Sequence, residues 1–455
     1  MRTPHALLAT TAALAATVVA PSTGAAAEAA PAPGAYYVQS AVTGLNASDA
    51  SGAVEQHNPK GDEDRQQWTL RSTGSGHVLE NTVAAGSCLG RSGEQARTVA
   101  CTSADATWEI TPAGADQYTL KAPGTDRHLT VAAKPSGANY PAQLSVGSGG
   151  GLASWYLTPV TSSTRPMPSA ADRTLDEVTF LTSHNAYANG VDGGFAPPFV
   201  NWFPNQSRGI QQQLSDGVRG FMLDIHQTPD GAILCHNSCT LVSNPVALWV
   251  DIQRIVDFLK ANPDQVITVF LEDYVDPGVL KSELARVNGL SDVLYRPDQT
   301  GVKQNGWPKV SDLISANDRL LLFTDHSRSS DQSAGLTRDS FGVMYQSEWT
   351  VENYWSMGSG ASASNWSCYS RWYGANTNIP LTRTEGAFQP LFVMNHFRDT
   401  TLAGTAETDN TKVADRARRF CQPAARKKPN FLAVDRYDLG NPTAAVNSLN
   451  TYVYP

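Results

Sequence analysis

An all-β domain followed by an α/β domain is the fold class this 455-residue sequence predicts, and three observations predict it. Tryptophan recurs in three similar β-like segments, "QQWTL" (66–70), "ATWEI" (106–110) and "ASWYL" (153–157), with the tryptophans 40 and 47 positions apart. A Ser/Thr/Pro-rich stretch, "TSSTRPMPSA" (161–170), then breaks the pattern as a linker does. Beyond it, apolar strand-like runs alternate with helical ones, the mark of βα units and a parallel sheet.

Taken in chain order, residues 1–27 place Arg2 ahead of an Ala/Thr-rich apolar stretch and end in small residues, "AAA" (25–27), which reads as a cleavable export signal. No later run approaches the roughly 20 apolar residues of a spanning helix. The expectation is a secreted, extracellular protein. Six cysteines at 88, 101, 235, 239, 368 and 421 agree with it, because an even number in an exported chain favours disulfides. Pairing by proximity gives Cys88–Cys101, Cys235–Cys239 and Cys368–Cys421, although local order alone selects this set. No CxxC pair supports zinc. With a net charge of −8 and no basic block longer than "RKK" (426–428), the composition argues against a nucleic-acid partner.

Residues 35–160 carry short β-like runs separated by Gly/Asn/Asp/Ser turns, and Trp68, Trp108 and Trp155 mark three copies of one supersecondary unit. This pattern resembles the ricin-type β-trefoil lectin family. Only the first copy keeps the Gln-x-Trp form (Gln66, Trp68), and Cys88 and Cys101 bracket a loop as in that family's internally bridged repeats. The resemblance implies a trefoil with the three indoles in its core and a carbohydrate partner, but no sugar-binding cluster stands out.

After the linker at 161–171, the domain 172–455 offers eight strand candidates: "EVTFLTSHN", "VRGFMLDIH", "AILCHN", "VITVFLEDY", "RLLLFTD", "GVMYQSEW", "LFVMNHF" and "FLAVDRYD". Helical candidates between them include "PVALWVDIQRIVDFLKANP", "PGVLKSELARV", "VSDLISAN" and "DNTKVADRARRFC". The closure these imply is a TIM-type (β/α)8 barrel with room for irregular units. Side chains at the C-terminal strand ends of such a barrel converge on one mouth. Those ends read His184–Asn185, Asp224 with His226, His236, Glu272–Asp273, Asp325–His326, Asn395–His396 and Asp435–Arg436. One polar strand end is ordinary capping, whereas recurrence after nearly every strand points to an active site.

Two histidines with carboxylates in one mouth suit a phosphodiester, one imidazole taking a proton from the attacking hydroxyl and the other protonating the leaving oxygen. No Gly-x-Ser-x-Gly elbow is present, which disfavours a serine hydrolase. The stretches "SHNAY" (183–187), "GVRGFMLDIHQTPDGAILCHN" (217–237), "NPDQVITVFLEDYV" (262–275) and "WPKVSDLISANDRLLLFTD" (307–325) resemble the X-domain of phosphatidylinositol-specific phospholipase C. By that resemblance His184 and His236 are the catalytic pair, Asp435 orients His184, and Asn185, Asp224 and Glu272 match Ca²⁺ ligands. The implied substrate is an inositol phospholipid at a membrane surface. The chain departs from both branches of that family: Met222 stands where the calcium-dependent branch has an acid, and His226 where the metal-free branch has an arginine. A glycerophosphodiesterase or sphingomyelinase D type barrel is the enzymatic alternative, although those families begin with His-Arg-Gly where this chain has His184-Asn185-Ala186. A non-catalytic carbohydrate-binding protein is the alternative of another class. Two aromatic stretches, "FAPPFVNWF" (195–203) and the one holding Trp349, Trp355, Trp366 and Trp372, are expected at the mouth, dipping into lipid or walling the cleft.

Overall fold

The computed structural model describes residues 30–60, 63–114, 116–131, 143–161, 164–192, 204–236, 239, 246–372 and 379–454. The expected export signal and the segment 195–203 lie outside the described residues.

Among the described residues from Gly34 to Pro159, twelve strands form one antiparallel system, in which Gly34–Ser40 pairs with both Trp155–Pro159 and Gln67–Thr73. The tryptophan repeat explains why. Trp68, Trp108 and Trp155 are fully buried, and each indole Nε1–H donates to a strand carbonyl of its own unit, Ala47 at 2.9 Å, Leu89 at 2.9 Å and Leu129 at 2.8 Å. A large ring and a satisfied donor recur three times around one apolar core with Val38, Leu79, Leu120 and Val146. Cys88 and Cys101 are bridged across the second unit, as expected from their proximity.

Among the described residues the second domain is built on eight parallel strands: β1 (Phe180–Ser183), β2 (Gly220–Thr228), β3 (Ile267–Tyr274), β4 (Leu320–Thr324), β5 (Val343–Tyr345), β6 (Thr350–Glu352), β7 (Leu391–His396) and β8 (Phe431–Val434). Their order is β5-β4-β3-β2-β1-β8-β7-β6. Among the described residues no ladder joins β5 to β6, so the sheet is TIM-like but open there, the gap spanned by the short helix Gln346–Trp349.

One of the eight expected strands needs correction, and one parallel strand was not expected. "AILCHN" is not the third parallel strand: Gly231–Leu234 turns back antiparallel on β2, pairing Ile225 with Leu234, because "TPDG" makes a tight hairpin. The missing parallel strand is β6, only three residues long and too short to show a period. The helical expectations hold at Leu248–Ala261, Pro277–Ala285 and Val310–Ala316, and "DNTKVADRARRFC" forms consecutive helical turns. The Cys235–Cys239 and Cys368–Cys421 bridges are also present.

Strand alternation positions the site. Phe180, Met222, Phe270, Phe323, Val393 and Phe431 pack together, with Phe270 edge-on to Phe431 at 4.9 Å. In a strand, the residue two positions on shares the same face. Two steps beyond four of these residues stand Asp224, Glu272, Asp325 and Asn395, and four steps beyond Phe180 and Phe431 stand His184 and Asp435. An apolar floor therefore carries a polar tier above it.

Candidate active site

That polar tier lines a cavity of about 610 Å³, to which His184, Asn185, Asp224, His236, Glu272, Asp325 and Asn395 all contribute, over a floor of Met222 and Phe270. Asp435 stands directly behind His184.

His184 follows the end of β1, where its own N–H donates to Val434 O at 3.0 Å, extending the β1–β8 ladder by one bond. Its Nδ1 lies 2.8 Å from Asp435 Oδ1. A carboxylate only accepts, so Nδ1 carries the proton and Nε2 is left with its lone pair free to act as a base. Asp435 is itself held by Asn205 Nδ2 at 3.0 Å and by the Thr401 hydroxyl. Phe397 stacks flat on the imidazole, and the buried Gln206 donates to both His184 O and Val434 O. The ring has little freedom.

His236 arrives differently. It sits just past the hairpin return, where Cys235 N donates to Asp224 O at 3.3 Å, and its Nδ1 lies 2.7 Å from Asp224 Oδ2. Its side chain is 44% exposed against 17% for His184. The hydrogen bond to Asp224 raises its pKa above the ordinary value, against the opposing effect of burial, so the imidazolium is favoured. Asn185, held at a left-handed φ of 44°, abuts the same ring nitrogen at 3.3 Å.

Asp224 and Glu272 are register partners on β2 and β3. Together with Asn185 they supply oxygen donors of the kind a hard cation such as Ca²⁺ takes, with water needed to complete six or more ligands. The fit is chemical. Asp224 is engaged with His236, and Glu272 accepts from the Tyr274 hydroxyl, which raises the tyrosine pKa. Among the described residues the one His/Cys/Asp/Glu trio with clustered ligand atoms is His226, Cys235 and Cys239, and its cysteines are bridged.

The structure separates the other candidates. Asp325 is open to the cavity yet set deep in it, and loss of bulk water, with Glu272 and Asp273 nearby, pushes its carboxyl up to about 7 against the pull of Arg371. Asp273 instead points into a fully buried ion pair with Arg338. His226 stacks on Tyr274 outside the cavity lining, and desolvation lowers its pKa against the pull of Asp224 and Glu272. His396 is buried against Asp409 O, and His326 pairs with Asp331. Of the tryptophans expected at the mouth, Trp355 lines the cavity, but Trp349 packs in the core with Trp307 and Phe388.

Sequence reasoning missed Arg371 and Glu352. Glu352 is 1% exposed and accepts from Gln346 Nε2 at 2.9 Å, Asn395 Nδ2 at 2.6 Å and Arg371 Nη1 at 2.9 Å. It thereby aims a guanidinium, whose pKa the carboxylates raise, at the cavity. The sequence signal was faint: Glu352 ends a three-residue strand and Arg371 lies in a loop.

Residues 170–358 match the PI-PLC X domain family. Residues 64–146 match the ricin-type β-trefoil lectin-like family. A PI-PLC X domain-containing protein of Arabidopsis thaliana is 30% identical over 267 residues, 58% of this chain and 58% of that protein. An uncharacterized secreted protein of Arthroderma benhamiae is 25% identical over 299 residues, 63% of this chain and 64% of that protein. The chain thus matches less than two thirds of either relative. An S. aureus phosphatidylinositol-specific phospholipase C structure is 12% identical with a TM-score of 0.39, covering 62% of this chain and 94% of that one. The X-domain match includes His184, Asn185, Asp224, His236 and Glu272 and ends before Arg371 and Asp435. Among the described residues no helix is long and apolar enough to cross a membrane.

Proposed function

We propose that this protein is a secreted phosphodiesterase that cleaves phosphatidylinositol-type lipids to diacylglycerol and a cyclic inositol phosphate. One observation carries the reading: two imidazoles, each backed by a carboxylate at 2.7–2.8 Å, serve one cavity from opposite dyads. The substrate hydroxyl next to the phosphate attacks phosphorus, and His184 Nε2 takes its proton while Asp435 steadies the imidazolium. The P–O bond to diacylglycerol breaks as His236 hands its proton to the departing oxygen. The nucleophile belongs to the substrate, so phosphatidylcholine, which has no neighbouring hydroxyl, is inert on this route. Asn185, Asp224 and Glu272 would hold Ca²⁺, which would offset charge growing on the phosphate.

Phosphorus NMR of the products from phosphatidylinositol, phosphatidylcholine and glycerophosphodiesters, each with and without chelator, tests this. The expected first product is cyclic, from the inositol lipid alone, and chelation abolishes turnover until Ca²⁺ is restored. Direct entry of labelled water oxygen into the first product would overturn the mechanism, and full activity in excess chelator would remove the metal. Secretion is checked by the mature N-terminus, expected just after residue 27. A carbohydrate partner for the β-trefoil, resting on its family match, is checked by glycan-array binding.

A further inference from the structure

The trefoil and the barrel have separate apolar cores, yet two contacts between them straddle one disulfide. On one side of the Cys368–Cys421 bridge, Cys368 N donates to Pro59 O of the trefoil at 3.3 Å. On the other, three residues past Cys421, the fully buried Gln39 of the trefoil donates through Nε2 to Ala424 O at 2.8 Å. Arg426 completes the seam: its Nη1 donates to Thr158 Oγ1 at 3.0 Å, and its guanidinium lies 4.5 Å over the Tyr156 ring.

What the seam grips is the segment that carries Arg371. From the barrel side Arg416 donates to Trp366 O at 3.2 Å and to Ser367 O at 3.3 Å. Beyond the cysteine, Tyr369 O accepts from Tyr354 N at 2.8 Å, and Arg371 N donates to Glu352 O at 2.9 Å. Only two residues, Tyr369 and Ser370, separate the trefoil contact at Cys368 from the arginine whose guanidinium lines the cavity.

We propose that the β-trefoil is a positioning element for the active site, bracing the 366–371 segment so that Arg371 faces the substrate's anionic or polyol group. Such a role needs no sugar. It explains why an independently cored domain has buried polar contacts with a disulfide-stapled loop, where a tethered binding module needs none. It rests on the phosphodiesterase reading only in its catalytic readout.

The test uses the full chain with two kinds of break, Gln39→Leu combined with Thr158→Val on the trefoil side and Arg426→Ala on the barrel side. Amide hydrogen exchange should rise over 366–371 in both, while amides of the Trp68, Trp108 and Trp155 strands stay protected. With phosphatidylinositol as substrate, kcat/KM should fall roughly 2- to 30-fold. In an Arg371→Lys background that loss should largely vanish, a coupling that general destabilisation does not produce. Unchanged exchange over 366–371, or an equal loss in both backgrounds, would overturn the proposal. Failure of the wild-type chain to turn over any inositol lipid would sink the proposed function instead, and the exchange measurement would still decide this one.

Discussion

The two histidine dyads use the same chemistry and are built in opposite ways. His184–Asp435 joins neighbouring parallel strands, pairs a half-buried imidazole with a buried carboxylate, and is fixed by Phe397, Asn205, Thr401 and Gln206. His236–Asp224 joins a strand to a hairpin return, leaves its imidazole 44% exposed, and leans on one strong hydrogen bond and a small disulfide loop. The difference matches the proposed roles. A base must meet a hydroxyl at one defined angle, which favours a ring locked by its surroundings. An acid must follow a departing oxygen at the lipid end of the substrate, where an open position is an advantage.

The largest effect expected is from removing either imidazole. His184→Ala and His236→Ala should each cost about 10²-fold or more in kcat, and steady-state turnover of phosphatidylinositol checks it. Near-normal rates in both would break the comparison at its root. Asp435→Asn should approach the same loss, because an amide can present N–H where Nδ1–H needs an acceptor and so favours the wrong tautomer.

Asp224→Asn should separate the dyads. The hydrogen bond to Asp224 raises the His236 pKa, so the protonated acid persists above the ordinary 6.5 and the alkaline limb of the rate profile lies above that value. Without the carboxylate that limb should move down, with the rate best preserved at the acid end. The same sign governs stability: the pair stabilises the fold at low pH, and that contribution disappears as pH rises through the folded His236 pKa. A limb that stays in place in Asp224→Asn would assign the acid to another group.

The two constructions also decide what a reader of the sequence can find. His184, Asp224, Glu272 and Asp435 end apolar strand runs, and strand alternation puts such residues on the face above the floor, so their place around the cavity was legible. His236 was legible at the cavity but the direction of the strand that brings it there was not, since "AILCHN" alternates identically in a parallel or an antiparallel partner and only the preceding turn distinguishes them. Glu352 and Arg371 were hidden because a three-residue strand has no period and a loop arginine owes its position to distant hydrogen bonds. Trp349 misled because aromatic enrichment reads the same for a rim and for a core. In the trefoil, by contrast, the tryptophans were legible because each does the same job three times.

The smallest effect probes the disulfide that holds the acid. Cys235 and Cys239 close a loop around His236, with Cα atoms 5.6 Å apart and the cysteines only 4 positions apart in sequence. By chain entropy, so short a loop contributes only about 2 kcal/mol. Cys235→Ser combined with Cys239→Ser should therefore leave the chain folded and the His236–Asp224 hydrogen bond available, so the alkaline limb keeps its position. What changes is the direction of the ring when Asp224 momentarily lets go. A displacement of about 1 Å at a reacting group can cost up to 10²-fold, and because the hydrogen bond remains the loss in kcat should be well below that, with KM little altered. A comparable substitution cannot be made at His184, which has no covalent staple and needs none. If the double serine variant instead shifted the limb as Asp224→Asn does, the bridge rather than the carboxylate would be setting the acid's pKa. The contrast between a packed base and a tethered acid would then have to be redrawn around the disulfide.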